Sequence, residues 1–360
     1  MSAIQVQALP AGVENLAGHE RHARAALDPA AWAYLCGAAG DGLTDRANRA
    51  AWDGLSLVPR VLAPLDGLHT RIELLGRSMA CPLLVAPMAF QQLAHRDAEL
   101  GTALAAAAQE AGMVLSTQAG TPLGAVAHAV RDDARRGPLW FQLYWQADRG
   151  ATTALVERAR AAGYEALVLT VDSPVRTGFR LPAGLAAPNL PSPASTDATL
   201  QELCAAAPTW RDLDWLCAAA GLPVVVKGIL HPDDARRAHG CGAAAVIVSN
   251  HGGRALDGAA ATATMLPAVV QALGGALPVL ADGGVRSGVD VLKALALGAR
   301  AVLVGRPVIW GLANAGARGV AHVLRLLRDE LEVAMALCGC TQPSQATAAL
   351  LTHSPNGRTS

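Results

Sequence analysis

The sequence predicts an α/β fold, a TIM (β/α)8 barrel preceded by an N-terminal helical extension, and two observations support this prediction. From residue 82 onward, short apolar runs alternate eight times with longer segments of helical periodicity. The apolar runs also lack polar alternation, which is typical of parallel strands covered on both faces. Eight such units favour a closed barrel over a doubly wound open sheet, the alternative that we considered. The Gly-x-Gly-x-x-Gly loop expected after the first strand of such a sheet is absent.

The helical extension is predicted for residues 1–79. Residues 13–27 have helical spacing, and Asp28-Pro29 has the pattern of an N-cap followed by proline at the first helical position. A second helix is predicted for residues 30–38. Residues 48–75 mix short apolar runs with prolines and a glycine, a pattern that predicts loops and small strands.

The eight repeating units follow directly. We expect one domain over residues 1–360, with the barrel at about 80–340. The predicted strands span 82–86, 113–116, 139–143, 166–170, 224–226, 245–248, 279–280 and 301–304. The predicted helices span 98–111, 123–130, 151–162, 211–220, 232–239, 264–273, 289–297 and 320–336.

Composition excludes several classes of protein. Hydrophobic residues make up 52% of the 360 residues and charged residues 16%, so the chain has ample material for a core and is not a disordered protein. The 29 basic and 29 acidic residues balance, which argues against nucleic-acid binding. Every apolar run is interrupted before it could span a membrane, and no secretory signal is visible. The seven cysteines lack pairing or metal-ligand spacing, so we expect free thiols, no metal site and a cytoplasmic location.

The stretch Ser-Asn-His-Gly-Gly-Arg-Ala-Leu-Asp at 249–257 directly follows an apolar strand. It places His251 and Arg254 three positions apart beyond the strand's carboxyl end. Histidine can move protons near neutral pH, and arginine offers a planar fork that matches a carboxylate. Taken alone, the stretch is equally consistent with a polar loop that turns at two glycines. Its position in the barrel favours a functional site.

Polar residues follow the other strands as well. Because the carboxyl ends of barrel strands meet at one face, we expect these residues to converge there. Lys227 ends an apolar strand, where a lysine is costly without a partner. Arginines and glycines follow the last two strands, the usual place for a phosphate in this architecture. The residues are Ala89, Ser116, Gln118, Gln142, Tyr144, Thr170, Asp172, Lys227, Ser249, His251, Arg254, Asp282, Arg286, Gly305 and Arg306.

With these motifs the chain resembles the FMN-dependent α-hydroxy acid oxidases and dehydrogenases, which include glycolate oxidase, lactate oxidase and mandelate dehydrogenase. The resemblance covers roughly residues 13–340. It is carried by Ser-Asn-His-Gly-Gly-Arg-Ala-Leu-Asp (249–257), Leu-Thr-Val-Asp-Ser-Pro (169–174), Phe-Gln-Leu-Tyr (141–144), Val-Lys-Gly (226–228), Ala-Asp-Gly-Gly-Val-Arg-Ser-Gly (281–288) and Gly-Arg-Pro (305–307).

The resemblance implies a catalytic set. His251 would be the base and Asp172 the carboxylate that orients it. Arg254 would bind the substrate carboxylate, and Tyr34 and Tyr144 would hold the polar end of the substrate.

The resemblance also implies FMN as cofactor. Lys227 would lie at the N1/C2 edge of the flavin and stabilise negative charge there. The expected isoalloxazine contacts are Ser116, Gln142, Thr170 and the backbone near Ala89, and the expected ribityl and phosphate contacts are Asp282, Arg286, Gly305 and Arg306. Pro87, Met88, Ser249 and Gly284 complete the expected cofactor-binding set.

The chain departs from the family pattern in two places. After Asp172 the family usually shows a Gly-Arg-Arg-type run, whose second arginine also contacts substrate. Here Arg180 fits that position only with a one-residue insertion, and the following loop, 181–208, is short and rich in Pro, Ala and Ser. Gln118 stands where glycolate oxidases have a tryptophan, which predicts a larger substrate pocket.

The predicted function is oxidation of an L-2-hydroxy acid, bulky or aromatic like mandelate, to the 2-oxo acid. Ala89 and residues 91–95 resemble the oxidases, so we expect O2 as electron acceptor and H2O2 as product. The alternatives are a dehydrogenase that reduces a quinone, an FMN barrel of the type 2 isopentenyl diphosphate isomerase class, and an inactive flavin-binding protein. We also expect a homo-oligomer, either a tetramer or an octamer.

Overall fold

The computed structural model describes residues 7–146, 148–174, 185–190 and 199–353. The chain begins with the two predicted helices, α1 (Leu16–Ala26) and α2 (Pro29–Cys36). The Asn15 side chain caps α1 by accepting a hydrogen bond from the amide of Gly18, and Asp28 caps α2 in the same way. Short polar side chains at these positions satisfy amides that have no partner inside the helix.

A third helix, α3 (Leu43–Asp53), extends over residues 48–53, for which the sequence predicted loops and small strands, so that prediction was wrong there. Its buried face consists of Thr44, Asn48 and Trp52, four residues apart. Two of the three are polar, so a search for apolar periodicity does not detect this face. The helix packs at the mouth of the barrel against polar partners.

Three short strands precede the barrel: β1 (Leu55–Leu57), β2 (Ile72–Leu74) and β3 (Arg77–Met79). Strands β2 and β3 form an antiparallel hairpin. Its apolar side chains pack against side chains in the barrel interior, including Leu84 and Trp140. The hairpin therefore covers the end of the barrel opposite the carboxyl ends of the strands.

Eight parallel strands form the closed barrel, which confirms the predicted fold. All eight predicted strands are present, with ends that shift by at most three residues. They are β4 (Leu83–Val85), β5 (Gly112–Leu115), β6 (Leu139–Leu143), β7 (Ala166–Thr170), β8 (Val224–Ile229), β9 (Ala245–Val248), β10 (Val279–Ala281) and β11 (Ala301–Val304). Strand β11 pairs with β4 and closes the ring. Alternate side chains belong to two separate buried clusters, one inside the barrel and one beneath the helices, so both faces are apolar.

The outer helices agree with the predicted units, with two additions. Helix α7 lies in the long loop after β7 and was not predicted, and α12 begins fourteen residues earlier than predicted and is kinked at Ala315 and Gly316. The helices are α4 (Ala98–Ala108), α5 (Leu123–Val130), α6 (Arg149–Ala162), α7 (Leu200–Ala205), α8 (Trp210–Ala219), α9 (Pro232–Gly240), α10 (Thr262–Leu273), α11 (Gly288–Ala296) and α12 (Arg306–Leu337). A last short strand, β12 (Leu351–His353), pairs with β1. Among the described residues, no helix combines the length and apolarity that a membrane crossing requires.

Candidate active site

A cleft opens at the carboxyl ends of the barrel strands and contains about 1330 Å³ of empty space, part of it open to solvent. The structure brings nearly all the sequence-predicted site residues to this cleft. Its lining includes Tyr34, Pro87, Met88, Ala89, Ser116, Gln118, Gln142, Tyr144, Thr170, Lys227, His251, Arg254, Asp282, Gly284, Arg286, Gly305 and Arg306. Asp172 and Ser249 contact lining residues from behind. Arg180 lies outside the described residues, as do residues 181–184 and 191–198 of the loop 181–208.

His251 lies in a tight turn, and its imidazole is held on one side by Asp172. The ring Nδ1 lies 2.8 Å from Asp172 Oδ1, so the chemistry of the ring falls to Nε2. The backbone of His251 has a φ of 57°, a conformation that costs free energy for a non-glycine residue. Ser249 supports it because its hydroxyl accepts a hydrogen bond of 3.1 Å from the amide of His251. A base oriented by a buried carboxylate is the arrangement that general-base catalysis requires.

The Arg254 guanidinium is fixed by carbonyl groups at the end of α2. It donates hydrogen bonds to the carbonyls of Tyr34, Leu35 and Gly37 at 2.6, 3.3 and 3.0 Å. Its central carbon also lies 5.9 Å from the centre of the Tyr34 ring. These carbonyls fix the orientation of the planar guanidinium, whose fork of donors matches a carboxylate.

Lys227 is buried, and its ammonium group lies 3.1 Å from Asp282 Oδ2. The ammonium group also donates a hydrogen bond of 2.8 Å to Ser249 Oγ. Burial alone would lower the pKa of Lys227, but the charges of Asp282 and Asp172 outweigh it and hold this pKa above its ordinary value. The side chain is therefore a charged group at neutral pH on the floor of the cleft.

Gln142 has a fixed amide orientation in the cleft. Its Oε1 accepts hydrogen bonds from the amide of Thr117 at 3.1 Å and from Ser116 Oγ at 3.2 Å. Its Nε2 is buried and has no partner among the described residues, and the same holds for Thr170 Oγ1 and Asp282 Oδ1. Buried polar atoms of this kind are expensive, so three of them around one cleft indicate a polar ligand.

Two arginines follow the last two barrel strands. Arg286 is half-buried, and its guanidinium carbon lies 5.0 Å from the centre of the Trp310 ring. Burial, followed by repulsion from Arg306, lowers the pKa of Arg286 to about 10. An anion bound here would relieve both effects, as a phosphate does at this position in many barrels.

The Arg306 side chain forms more hydrogen bonds within the protein than its sequence motif suggested. Its guanidinium donates hydrogen bonds to the carbonyls of Cys36, Gly37 and Gly252 at 3.0, 2.8 and 2.9 Å, and to Asp45 at 3.0 Å. The side chain therefore joins the segment after α2 and the start of α3 to the loop after β9. The Asp45 carboxylate compensates part of its positive charge.

Sequence reasoning missed the residues of α3 that support the site. The Asn48 and Asn250 side chains exchange two hydrogen bonds of 2.8 Å, and Trp52 Nε1 donates one of 2.8 Å to the carbonyl of Gly283. A side chain on Gly284 would lie 2.9 Å from the Asn48 backbone, so only glycine fits there. None of these pairs has a local sequence signal, because the partners are more than 200 positions apart.

Comparisons with known proteins extend over nearly the whole chain. The sequence profile of the FMN-dependent dehydrogenase family matches residues 23–353. An L-lactate oxidase from Nostoc is 48% identical over 91% of this chain and 95% of its own length. A 4-hydroxymandelate oxidase from Amycolatopsis orientalis is 44% identical over 91% and 94%. The structure of a mandelate oxidase with (S)-2-phenylpropionate superposes with a TM-score of 0.85 at 42% identity, covering 94% of this chain and 98% of that one.

The cleft meets the requirements of FMN. An isoalloxazine presents acceptor and donor groups, a ribityl chain presents hydroxyls, and the phosphate is an anion. The unpaired Nε2 of Gln142, Oγ1 of Thr170 and Oδ1 of Asp282 match the polar groups. The cations Lys227, Arg286 and Arg306 match negative charge, so the residues present fit this cofactor.

Proposed function

Because the chain belongs to the family of FMN-dependent dehydrogenases, we propose that it is an (S)-2-hydroxy-acid oxidase that converts an L-2-hydroxy acid to the 2-oxo acid. The observation that carries the proposal is the placement of three groups at one cleft. These are the His251–Asp172 pair, the fixed cation of Arg254 and the charged Lys227. The first supplies a base, the second a carboxylate site, and the third stabilises negative charge in the cofactor.

In this proposal, bound FMN would supply the two-electron acceptor that the oxidation needs, with O2 as the final acceptor and H2O2 as the product. His251 Nε2 takes a proton from the substrate, and Asp172 stabilises the resulting imidazolium through Nδ1. Arg254 binds the substrate carboxylate with the help of the Tyr34 and Tyr144 hydroxyls, which places the hydroxyl-bearing carbon beside His251. Fixing the substrate at both ends lowers the entropic part of the activation free energy of the oxidation.

We assign the cofactor contacts by the chemistry of the lining residues. The isoalloxazine would be held by Ser116, Gln142, Thr170, Lys227 and the backbone of Pro87, Met88 and Ala89, with Ser249 supporting Lys227 from behind. The ribityl and phosphate groups would be held by Asp282, Gly284, Arg286, Gly305 and Arg306. Since protein acceptors occupy most donors of the Arg306 side chain, its contribution is chiefly its charge and its backbone amide.

The proposed substrate is a 2-hydroxy acid with a bulky or aromatic side chain. Gln118 is half-buried in the cleft wall, where a tryptophan would fill the same space. The 4-hydroxymandelate oxidase among the relatives is named for an aromatic acid, whereas the L-lactate oxidase is named for an acid with a methyl side chain. Apolar filling of a pocket discriminates only modestly, so overlapping activity on lactate is expected.

We further propose a cytoplasmic homo-oligomer, a tetramer or an octamer. All seven cysteines lie in the described part of the chain and are free thiols, which is typical of a reducing compartment. Val61 and Leu62 are 84% and 100% exposed, and the nearby Leu337 is 63% exposed. The amide of Arg60 donates a hydrogen bond to the carbonyl of Leu337, which brings these apolar side chains to one surface.

The test is anaerobic mixing of the purified flavoprotein with (S)-mandelate, L-lactate and glycolate. Bleaching of the flavin absorbance by at least one acid is the expected result. Admission of oxygenated buffer should then restore the colour within seconds and release H2O2. Slow recovery in oxygen with rapid turnover on a quinone would make the chain a dehydrogenase, and no bleaching by any 2-hydroxy acid would refute the proposal.

A further inference from the structure

The carboxylate of Glu99 is completely buried on α4, behind the cleft. Its Oε1 accepts hydrogen bonds from the amides of Gln91 and Gly120 at 3.0 and 3.1 Å, and its Oε2 accepts one of 2.7 Å from Thr121 Oγ1. Among the described residues, no basic side chain forms an ion pair with it. A buried charge is costly, so the three hydrogen bonds to two different loops must offset its desolvation.

Asn189 is also completely buried and continues this network. Its Oδ1 accepts a hydrogen bond of 2.8 Å from the amide of Leu123, and its Nδ2 donates one of 3.2 Å to the carbonyl of Thr121. Leu123 begins α5 after Pro122, which has no side-chain hydrogen bond to offer. Asn189 therefore acts as the missing N-cap from a distant part of the chain. We call Glu99, Thr121 and Asn189 the polar clasp.

The polar clasp joins three segments that surround one side of the cleft. The loop after β4 carries Ala89, and the amide of Phe90 in this loop donates a hydrogen bond of 3.2 Å to the carbonyl of Gln118 in the loop after β5. The third segment is 185–190, whose Leu185 and Ala187 pack against the apolar cluster that contains Tyr34 and Phe90. The arginines at the phosphate end come from other loops, those after β10 and β11.

We propose that Glu99 and Asn189 are positioning residues that fix the substrate-side wall of the cleft and thereby set selectivity among 2-hydroxy acids. This inference rests on the proposed function. Neither residue lines the cleft, so they act through Gln118, Ala89 and the apolar cluster. Loss of the polar clasp frees the wall to move, which affects the fit of the substrate side chain while the phosphate end is unchanged.

The experiment compares Glu99→Ala with Glu99→Gln in the holoenzyme. Alanine leaves two buried amides and one hydroxyl unpaired, whereas glutamine keeps the acceptor for both amides and faces Thr121 with an amide group. For Glu99→Ala we expect the ratio of kcat/KM for (S)-mandelate to that for glycolate to change by at least about tenfold, mainly through KM, while the FMN dissociation constant changes by less than about threefold. Glu99→Gln should restore the ratio to within about threefold of the wild-type value.

Asn189→Ala gives an independent measurement, with the same expected change in selectivity because Leu123 and Thr121 lose their partner. Thr70→Val is the matched control. It removes a buried hydrogen bond of 2.8 Å to the carbonyl of Ala80, far from the cleft. It should cost similar thermal stability and leave the selectivity ratio unchanged. Should Glu99→Ala not yield folded protein, Thr121→Val removes only the Oε2 contact and carries the same test.

The outcomes separate the two proposals. An active wild-type enzyme whose Glu99→Ala and Asn189→Ala variants keep the selectivity ratio within about twofold overturns the polar clasp alone. A parallel loss of FMN affinity and activity in these variants also overturns it, because that pattern indicates general unfolding of the cleft. A wild-type protein that no 2-hydroxy acid reduces overturns the proposed function, and the selectivity role falls with it.

Discussion

The two ring nitrogens of His251 have different tasks because only Nδ1 is held by Asp172. We expect His251→Gln to lower the rate of flavin reduction by about 10²-fold or more, since the amide cannot accept the substrate proton. The variant should still bind FMN, because the imidazole is not part of the phosphate end. Rapid anaerobic mixing measures the rate, and absorbance measures the bound flavin. Retention of more than about a tenth of the wild-type rate would contradict a general-base role.

A substitution of Gln118 gives the most direct test of the size of the substrate pocket. We expect Gln118→Trp to shift preference toward small acids, because the indole would occupy space that a bulky side chain needs. The ratio of kcat/KM for glycolate to that for (S)-mandelate should rise by about 10-fold or more, which corresponds to 1–3 kcal/mol of discrimination. Gln201→Trp, the same change at an exposed residue of α7 that does not line the cleft, is the control. If glycolate is the best substrate of the wild-type enzyme, the large-pocket interpretation is wrong.

At the residue scale, the sequence predicted those site residues that lie within short local motifs. His251, Arg254 and Lys227 lie in short strings beyond strand ends, so their convergence at one cleft followed from the barrel alone. The residues that hold them could not be found in this way. Asp257 belongs to the same string as His251, yet it accepts hydrogen bonds from the amides of Asp41 and Thr44, more than 210 positions away. Such pairings become visible only in the folded chain.

At the scale of elements, α3 supports the loop that carries Arg286. Arg49 donates hydrogen bonds to Asp290 at 2.7 and 3.0 Å and to the carbonyl of Gly284, and Asp290 accepts one of 2.9 Å from the amide of Arg286. The Arg49–Asp290 pair therefore fixes the backbone of the proposed phosphate site, although neither residue lines the cleft.

We expect Arg49→Met to weaken FMN binding by about tenfold or more, because it leaves the buried carboxylate of Asp290 without its main partner. Quenching of FMN fluorescence on titration of the apoprotein measures the affinity. Arg325→Met removes an exposed ion pair with Asp329 on α12 and should leave FMN affinity unchanged. Equal affinity for Arg49→Met and wild type would show that α3 is not needed to shape the site.

The contact between α1 and α12 contains a pair of histidines, of which His19 is buried and His322 is half-buried. His19 Nε2 lies 2.9 Å from His322 Nδ1, and Asn314 Nδ2 donates to His19 Nδ1 at 3.0 Å. Both ring nitrogens of neutral His19 are thus satisfied, and a second proton would face the Asn314 amide group. Burial, followed by repulsion from His322 and His22, lowers the pKa of His19 to about 4.

This lowered pKa predicts an acid-sensitive stability. The unfolded chain binds a proton at His19 near pH 6.5, and the folded chain only near pH 4. The stabilisation is therefore complete above about pH 6.5 and decreases as the pH falls toward 4, by an amount on the order of 3 kcal/mol. Urea unfolding of His19→Gln across this range should show a weaker pH dependence than the wild type, while His239→Gln, at an exposed position on α9, should not. An unchanged pH slope in His19→Gln would count against the pair as its source.

Helices and strands were predicted correctly where their buried faces are apolar and were missed where these faces are polar or absent. The barrel strands are apolar on both faces, so each was found within a few residues. Helix α3 was missed because polar side chains make its contacts, and α7 because none of its residues is buried. Apolar periodicity reports burial of apolar surface and nothing else.

At the scale of the whole molecule, Leu62 is the most exposed large apolar side chain in the part of the chain that the structure describes. We expect Leu62→Glu to give a smaller particle than the wild type in light scattering, because a charge replaces an apolar contact between subunits. Leu200→Glu, at a position 63% exposed on α7, should leave the particle size unchanged. A wild-type protein that is monomeric at micromolar concentration would remove the basis for this prediction.

The hydrogen bonds between α3 and the loops after β9, β10 and β11 also determine when the site can form during synthesis of the chain. Asn48 meets Asn250 across 202 positions, Arg49 meets Gly284 across 235, and Asp45 meets Arg306 across 261. During synthesis, α3 leaves the ribosome long before any of these partners, so its polar face must wait in water for most of translation. FMN can be bound only after the last barrel strand has emerged. Closing such long loops is slow, so cofactor uptake should follow release of the chain rather than accompany its elongation.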